Sequence, residues 1–498
     1  MTASIDEKRR DVQAAFDAAY KLANEGDPSS LAVVEPAVWS AVLAIGRALM
    51  ALWLARCAAR PRVAQYEHEG RTYEVVGSER CEVGTRFGKI AYEGPVGRLV
   101  GWKRAARDLP LDRELGLCGG FSLLVVMTLV KLCAQMAFAS ARKTFGGIFE
   151  WSPSQRATLR MVDGVGAEVR PFLDQAPAPE DDGEVLVILA DGKGAPAISS
   201  KEHAQRRQPH RRREPGTQRH ARRERRRKSP RPRRTPGKKS KNAKMAAVGV
   251  MYTLRQTKDG LEGPINKRVY GTFESYRALF EWLLREAKKR GYGTAKFSKV
   301  LFVADGAETL WDLQQEFFPD AEVCLDWYHV VEKLWKTGKA LHRNSRPRLE
   351  AWVADQKKRL RRGQIQAVID ELRGILAATS RTGPGNKYRR TLLGKTIEHF
   401  AKNASRMRYH DLRRQDLEIG SGVVEGAVRH LVGVRLDGPG MRWSRDRMEA
   451  VLLLRCILIN GQWDDFTVFL AAKNSVALRS QPIPTRTHDA KPNLKRAA

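Results

Sequence analysis

The chain has 498 residues, which is enough for two to four domains and a sizeable hydrophobic core. Its net charge of +33 and pI of about 10.2 imply a polyanionic partner, most often nucleic acid, and no lipidation motif or amphipathic anchor favours a membrane surface. None of the six cysteines forms a Cys-x-x-Cys pair, so a disulfide framework and a zinc ribbon are not indicated and a reducing cytosol fits.

Residues 1–170 are predicted to form a mainly helical domain, with DNA-end binding as one possible role. The first ten residues are charged and have no signal-peptide core. Apolar residues recur at helical spacing over 33–59 and 122–143, and both stretches contain charges, so we interpret them as core helices rather than membrane spans. Between them, 71–76 and 86–92 alternate like the strands of a hairpin.

A helix-capping signal and a linker follow. Ser152, Pro153 and Ser154 predict an N-cap with Pro in the first turn of a helix that runs through Met161. This helix is either half of a helix-turn-helix or a simple packing element. Residues 171–183 contain three prolines and four acids and are predicted to be a linker.

A second block, 184–341, alternates strands and helices in the order β-β-β-α-β-α-β-α. A three-stranded meander followed by right-handed crossovers is the ribonuclease H-like order. The fold class predicted is therefore α/β, a mixed sheet with helices, joined to the mainly helical N-terminal domain. The predicted strands are 184–190, 245–254, 267–272, 299–304 and 322–325, and the predicted helices are 273–290, 307–318 and 327–341.

Two of these strands run directly into Ala-Asp-Gly, which places Asp191 and Asp305 at strand ends. Apolar runs of this length are typical of strands buried on both faces, so each acid is expected where the core meets solvated loops. A third acid, Glu425, lies in Gly-Ser-Gly-Val-Val-Glu-Gly at 420–426, which opens a helical segment. One strand-terminal Asp is usually a turn former, but three converging carboxylates in a basic protein indicate divalent metal chemistry on nucleic acid.

Two insertions interrupt the predicted ribonuclease H-like core. The first, 201–244, contains 20 Lys or Arg residues, five prolines and almost no apolar residues, so it is predicted to be disordered by itself. Because it leaves the first strand close to Asp191, phosphate binding is favoured over a merely solvated or localisation role. The side chains expected on phosphate are Arg211, Arg212, Arg213, Arg225, Arg226, Arg227, Lys238, Lys239 and Lys241.

The second insertion, 342–416, is predicted to be a helical subdomain, and it accounts for the long separation between Asp305 and Glu425. Residues 417–470 are predicted to complete the catalytic core with the Glu-bearing helix, and 471–498 to form a flexible tail.

Several unusual short motifs occur in order over about residues 185–470. With these motifs, the chain resembles the DDE transposases with a ribonuclease H-like fold. More narrowly, it resembles the bacterial insertion-sequence transposases of the Kra type, which are related to the Mutator-like superfamily. The motifs are Ala-Asp-Gly-Lys at 190–193, Asn-Ala-Lys-Met at 242–245, Gly-Pro-Ile-Asn-Lys-Arg-Val-Tyr at 263–270, Asp-Gly at 305–306, Leu-Asp-Trp-Tyr-His at 325–329, the glycine-rich motif at 420–426 and Gly-Met-Arg-Trp at 440–443.

This resemblance implies that Asp191, Asp305 and Glu425 bind two Mg²⁺ ions, which Mn²⁺ is expected to replace. It implies hydrolysis of a phosphodiester at an element end, followed by attack of the freed 3′-hydroxyl on target DNA. The implied partners are the double-stranded DNA of element ends and target, and a homodimer or larger assembly on that DNA. The implied location is the nucleoid in the cytoplasm, with no membrane.

Four further residues belong to the expected site. Asp326 and His329 form Asp-x-x-His and either contact the scissile region, support the metals, or contribute no more than a helix cap by His329. A zinc site with Cys324 lacks a nearby fourth ligand. Arg442 and Trp443 are expected to stack on or clamp DNA, with core packing of Trp443 as the alternative.

Two other functions stay open at this point. A ribonuclease H-like nuclease that only cleaves, such as a junction resolvase, would use the same carboxylates. A nucleic-acid-binding protein with a decayed triad is less favoured because all three acids are present. Glu308 and Asp326 are the alternative metal ligands.

Overall fold

The computed structural model describes residues 5–26, 30–101, 107–198, 243–417, 419–438 and 441–477. By their internal contacts, the residues divide into two compact units, Met1–Phe172 with Gly461–Ala498, and Leu173–Asn460. The second unit therefore ends before residue 470, where the sequence placed the end of the catalytic core. The basic insertion 201–244, with its nine predicted phosphate-binding side chains, lies outside the described residues except at its last two positions.

The first unit combines helices with an antiparallel sheet of order β1-β2-β3. The predicted hairpin is confirmed and is longer than expected, because β2 and β3 pair from Thr85 and Gly88 at the turn out to Tyr73 and Leu99. The strands are β1 (Gln65–His68), β2 (Arg71–Thr85) and β3 (Gly88–Leu99), and the helices are α1 (Ile5–Glu25), α2 (Leu31–Ala58), α3 (Pro110–Glu114), α4 (Leu123–Gln135), α5 (Phe138–Phe149), α6 (Gln155–Ala167), α7 (Val169–Gln175) and α17 (Trp463–Ala477).

The two apolar stretches of this unit differ in burial. The helix α4 is a core helix as predicted, and an extended backbone at Met136 separates it from α5. The core prediction is wrong for α2, in which only Leu43, Leu54 and Cys57 are buried. Among the described residues, α2 is also the one helix that is long and apolar enough to cross a membrane by length and composition.

The capping signal before α6 is confirmed at Ser154, whose hydroxyl accepts a hydrogen bond from the amide of Ala157. Pro153 lies before the cap, not in the first turn as predicted. The buried face of α6, which includes Met161 and Val162, packs against α4 and α5, as expected of a packing element. The helix α7 then covers the first part of the predicted linker, 171–183.

The second unit contains a mixed five-stranded sheet of order β6-β5-β4-β7-β8. Strands β4, β5 and β6 are antiparallel neighbours, whereas β7 and β8 run parallel to β4. The predicted mixed α/β class and the predicted order of strands and helices are confirmed. The strands are β4 (Val185–Pro196), β5 (Ala243–Thr257), β6 (Gly260–Thr272), β7 (Lys299–Ala304) and β8 (Glu322–Leu325), and the helices that follow them are α8 (Tyr276–Arg290), α9 (Glu308–Phe317) and α10 (Trp327–Leu341).

The first of the two Ala-Asp-Gly motifs does not mark the end of its strand. Strand β4 continues to Pro196, and Asp191 is paired with Val248 in the middle of the β4–β5 ladder. The continuation is favoured because β5 offers backbone hydrogen-bond partners along the whole stretch. The second Ala-Asp-Gly motif lies at a strand end as predicted, because β7 ends at Ala304, directly before Asp305.

The predicted helical insertion is confirmed, and two more helices complete the unit. The insertion helices are α11 (Arg346–Arg361), α12 (Ile365–Ala378), α13 (Asn386–Asn403) and α14 (Tyr409–Arg414), and the later helices are α15 (Gly422–Val428) and α16 (Arg445–Ile459). The helix α15 carries Glu425 and packs against β4 and β5.

Candidate metal centre

Asp191 and Asp305 lie side by side at one position of the sheet. Strands β4 and β7 are parallel and pair Ala190 with Ala304, so the next residue on each strand is an aspartate. Neighbouring strands are about 4.8 Å apart, which brings the two acids into one local environment. The Asp191 carboxylate accepts a hydrogen bond from the amide of Gly192 (2.6 Å), and that of Asp305 accepts one from Ala307 (3.0 Å).

The environment of Asp191 disfavours its negative charge. Burial raises the pKa of its carboxyl, and the nearby charges of Asp305 and Asp326 raise it further. The hydrogen bond from Gly192 and the charge of His329 act in the opposite direction without cancelling the effect. A cation bound here would remove the repulsion that crowds these carboxylates.

Asp326 is fully buried and uses both carboxylate oxygens as hydrogen-bond acceptors. It caps α10 by accepting from the amides of Tyr328 and His329, and it also accepts from the amide of Ser421 (2.7 Å) and pairs with the His329 ring. Burial alone would raise the pKa of Asp326, but the hydrogen bonds from His329 and Ser421 outweigh burial and lower it. Asp326 is thus an ionised group that holds α10, His329 and the Ser421 segment together.

His329 is the common neighbour of the acids. Its hydrogen bond with Asp326 raises the pKa of the imidazole to about 9 despite partial burial, and the charges of Asp326, Asp191 and Asp305 contribute in the same direction. The cap of α10 is supplied by Asp326, so the interpretation that His329 acts only as a helix cap is wrong. At neutral pH, His329 is a cation among carboxylates.

Glu425 reaches the same place from a different part of the chain. Its carboxylate accepts a hydrogen bond from the hydroxyl of Ser421 (3.3 Å), the N-cap residue of α15. One ligand atom from each of Asp326, His329 and Glu425 lies within 4.8 Å of the others. A side chain at position 420 would collide with the ring of Tyr328 unless that ring moved.

The donor set fits Mg²⁺, although the closest group is not the predicted triad. Among the described residues, the one group of three potential ligands that all lie within 4.8 Å is Asp326, His329 and Glu425. Asp191 and Asp305 of the predicted triad are not part of that group. Since both oxygens of Asp326 are engaged, the free carboxylate oxygens belong mainly to the predicted triad, and hard oxygen ligands are what Mg²⁺ prefers.

Sequence reasoning missed two polar side chains beside the acids. The hydroxyl of Tyr276 on α8 lies against Gly192, and burial together with Asp191 and Asp305 raises the pKa of Tyr276 to about 12. His399 of α13 lies against Gly306, and burial with the charges of Lys333 and His329 lowers its pKa to about 4. No short motif marks either residue, because each reaches the site only through packing of its helix.

The remaining candidates have other surroundings. Glu308 is exposed and forms an ion pair with Lys402, and Cys324 is fully buried with its thiol against the carbonyl of Ile419 (3.7 Å). Trp443 is buried, donates its indole N–H to the carbonyl of Leu436 (2.9 Å) and is covered by Arg435. The structure therefore favours the core-packing alternative for Trp443.

Arg442, in contrast to Trp443, is exposed, and it lies near the end of β4. Its predicted contact with DNA stays a prediction.

No protein-family model matches the chain, and no curated protein matches it. Among solved structures, the Drosophila P element transposase strand transfer complex aligns with 73% of this chain and 84% of that chain, at 11% identity and a TM-score of 0.24. A TM-score this low supports no inference about fold or function.

Proposed function

We propose that the chain is a DDE transposase of an insertion sequence, with a ribonuclease H-like core and a place in the Kra type. The observation that carries the proposal is the set of acids around His329: Asp191 and Asp305 follow paired alanines of two neighbouring strands, and Asp326 and Glu425 each place a ligand atom within 4.8 Å of a ring nitrogen of His329. The strand order supports it, because an antiparallel three-strand meander is followed by two parallel strands, as a ribonuclease H-like core requires. The net charge of +33 suits a DNA substrate.

In this proposal Asp191, Asp305 and Glu425 hold two Mg²⁺ ions, which when bound activate the attacking oxygen and stabilise the leaving oxygen. Asp326 acts as a positioning residue that fixes Glu425 against the sheet through Ser421. The His329 cation lies where it can offset negative charge on a DNA phosphate. The expected partner is double-stranded DNA, bound by a dimer or larger assembly that brings two ends together.

The experiment uses the DNA that flanks the coding region, in which terminal inverted repeats are expected. Purified protein, labelled end duplexes and a supercoiled target plasmid are incubated with Mg²⁺. We expect nicked ends and end–target joined products, both lost in EDTA and in Asp191→Asn, Asp305→Asn and Glu425→Gln variants that still bind DNA. Cleavage without joining would replace the proposal with a nuclease, and binding without either reaction would replace it with a DNA-binding protein.

A further inference from the structure

The helix α2 leaves a long apolar stripe uncovered. Its side chains recur in steps of three and four residues between 38 and 53, which is the spacing of a helix–helix seam. Five of the six members are between 40% and 79% exposed, and the sixth, Ile45, is half-buried. The stripe comprises Leu31, Val38, Val42, Ile45, Leu49 and Trp53.

The other faces of α2 already have partners. One face holds Leu43, Leu54 and Cys57, which are buried in the first unit, and Trp39 donates its indole N–H to the carbonyl of Ile148 (2.7 Å). A second face packs against α1, and its half-buried positions are mostly alanine, which permits a close helix contact. That face comprises Val34, Ala37, Ala41, Ala44 and Ala48. The stripe lies between these two faces, and most of its side chains stay exposed among the described residues.

The stripe is symmetric about the midpoint between Ile45 and Gly46. Two identical antiparallel helices related by a two-fold axis at this midpoint would place Val42 against Leu49, and Val38 against Trp53. The same axis places Glu35 against Arg56. These two residues are the charged ends of the stripe, both are exposed, and neither side chain has a hydrogen-bond or ion-pair partner among the described residues.

We infer that α2 pairs antiparallel with α2 of a second copy of this chain, with Glu35 of each copy beside Arg56 of the other. The apolar stripe exposes on the order of 400 Å² per helix, which is within the range of the largest patches on monomers and at the low end of specific interfaces. An interface of this size belongs with weak, transient associations, and the expected dissociation constant is set at about 1 µM for the tests below.

A membrane is a weaker candidate for covering the stripe. The C-terminal part of α2 belongs to a protein core, where Leu54 and Cys57 pack with Cys81, Val83 and Ile90. Charged side chains occur along the helix at Glu35, Arg47 and Arg56, which opposes insertion. The charge complementarity of the two stripe ends has a direct use only when a second copy is present.

This pairing supplies a surface for the dimer that the proposed function needs, yet it requires neither DNA nor an active site. Its failure would therefore leave the proposed catalysis untouched, and a catalytically dead Glu425→Gln chain is expected to dimerise normally. Sedimentation velocity on the full chain without DNA, over a range of concentrations, measures it directly.

Charge exchange tests the register. Glu35→Arg and Arg56→Glu each create like-charge contacts at both ends of the interface, and each is expected to weaken the dimer roughly tenfold. The double variant exchanges the charges and is expected to restore wild-type affinity. Arg10→Glu, an exposed reversal on α1, is the matched control and is expected to change nothing. A double variant that dimerises no better than the single variants would overturn the register.

Cysteine pairs test the direction. Positions 42 and 49 are about 10.5 Å apart along one helix, too far for an internal disulfide, so a Val42→Cys/Leu49→Cys chain is expected to form cross-linked dimers on oxidation. Either single variant alone is expected to stay uncross-linked. Efficient cross-linking of Val42→Cys with itself would indicate parallel pairing and overturn the proposal.

A wild-type chain that stays monomeric up to about 100 µM, roughly a hundred times the expected dissociation constant, would also overturn it. The membrane alternative is tested by measuring co-sedimentation of the wild-type and variant chains with phosphatidylcholine–phosphatidylglycerol vesicles. A monomer whose vesicle binding is abolished by Val42→Asp, and unchanged by Arg10→Glu, would assign the stripe to lipid instead.

Discussion

The carboxylate of Asp326 accepts a hydrogen bond of 2.7 Å from the backbone amide of Ser421, a residue 95 positions later in the chain. Asp326 follows β8, and Ser421 precedes the helix that carries Glu425. This buried contact closes the helical insertion between them and fixes where Glu425 lies relative to the sheet.

Asp326→Asn should destabilise the protein by about 2–4 kcal/mol, because an amide nitrogen cannot accept the buried hydrogen bonds that the carboxylate accepts. Urea unfolding monitored by circular dichroism measures the change. Asp411→Asn, an exposed aspartate on α14, is the control and should stay close to wild type. Equal unfolding midpoints for Asp326→Asn and wild type would show that the contact with Ser421 does not hold the fold.

The crowding of Asp191 predicts that cation binding stabilises the chain. Wild type should gain about 2.7 kcal/mol at a Mg²⁺ concentration one hundred times the dissociation constant. Asp191→Asn should lose most of this gain while being at least as stable as wild type in EDTA, because it removes a desolvated charge beside Asp305. Thermal unfolding with Mg²⁺ and with EDTA measures both effects, and the exposed Asp312→Asn should behave as wild type. Full retention of the Mg²⁺ effect in Asp191→Asn would remove that residue from the site.

The pKa of His329 predicts a pH-dependent stability. The folded-state pKa of about 9 exceeds the ordinary value of 6.5, so the protonated ring stabilises the fold fully below pH 6.5 and loses that effect as pH rises through about 9. The difference in unfolding free energy between wild type and His329→Gln should therefore shrink from pH 6 to pH 10 in EDTA. The same difference for the exposed His430→Gln should stay small throughout. A constant His329 difference across this range would contradict the ion pair with Asp326.

The basic insertion predicts strong salt dependence. Each neutralised phosphate lowers log affinity by about 0.9 per log unit of salt, and deletion of 206–239 should flatten that slope and weaken binding to all duplexes alike. Fluorescence anisotropy at several salt concentrations measures the slope. The helical insertion has basic residues of its own, such as Lys358 and Arg362, which remain as an internal reference. An unchanged slope would mean that the insertion does not bind phosphate.

The basic residues at the C-terminal end of α11 are expected to have two different roles, one in stability and one in DNA binding. The guanidinium of Arg361 lies 4.8 Å from the ring of Trp327, next to Asp326, so Arg361→Ala should cost up to about 1 kcal/mol of stability. Lys358 and Arg362 are exposed, and their replacement by Ala should weaken the paired-end DNA complex without changing stability. Light scattering on the end-DNA complex and urea unfolding measure the two effects. A fully active complex with one chain would rule out assembly on paired ends.

Local signals in the sequence were sufficient for much of the second unit. Strand β7, strand β8 and helix α10 have the predicted bounds, because apolar periodicity and capping residues act over a few neighbours. The same signals identified the strand that carries Asp191 and the position of Asp305 after β7. The glycine-rich motif at 420–426 identified Glu425.

Contacts between distant segments decided the rest. The length of β4 depends on pairing with β5, so the sequence of β4 alone placed its end too early, at Ala190. Tyr276 and His399 reach the acids only because α8 and α13 pack there, and Asp326 is a positioning residue only because Ser421 folds back onto it. Exposure is likewise a tertiary property: the apolar pattern of α2 is that of a core helix, but too few neighbours cover it, and its large side chains remain at the surface.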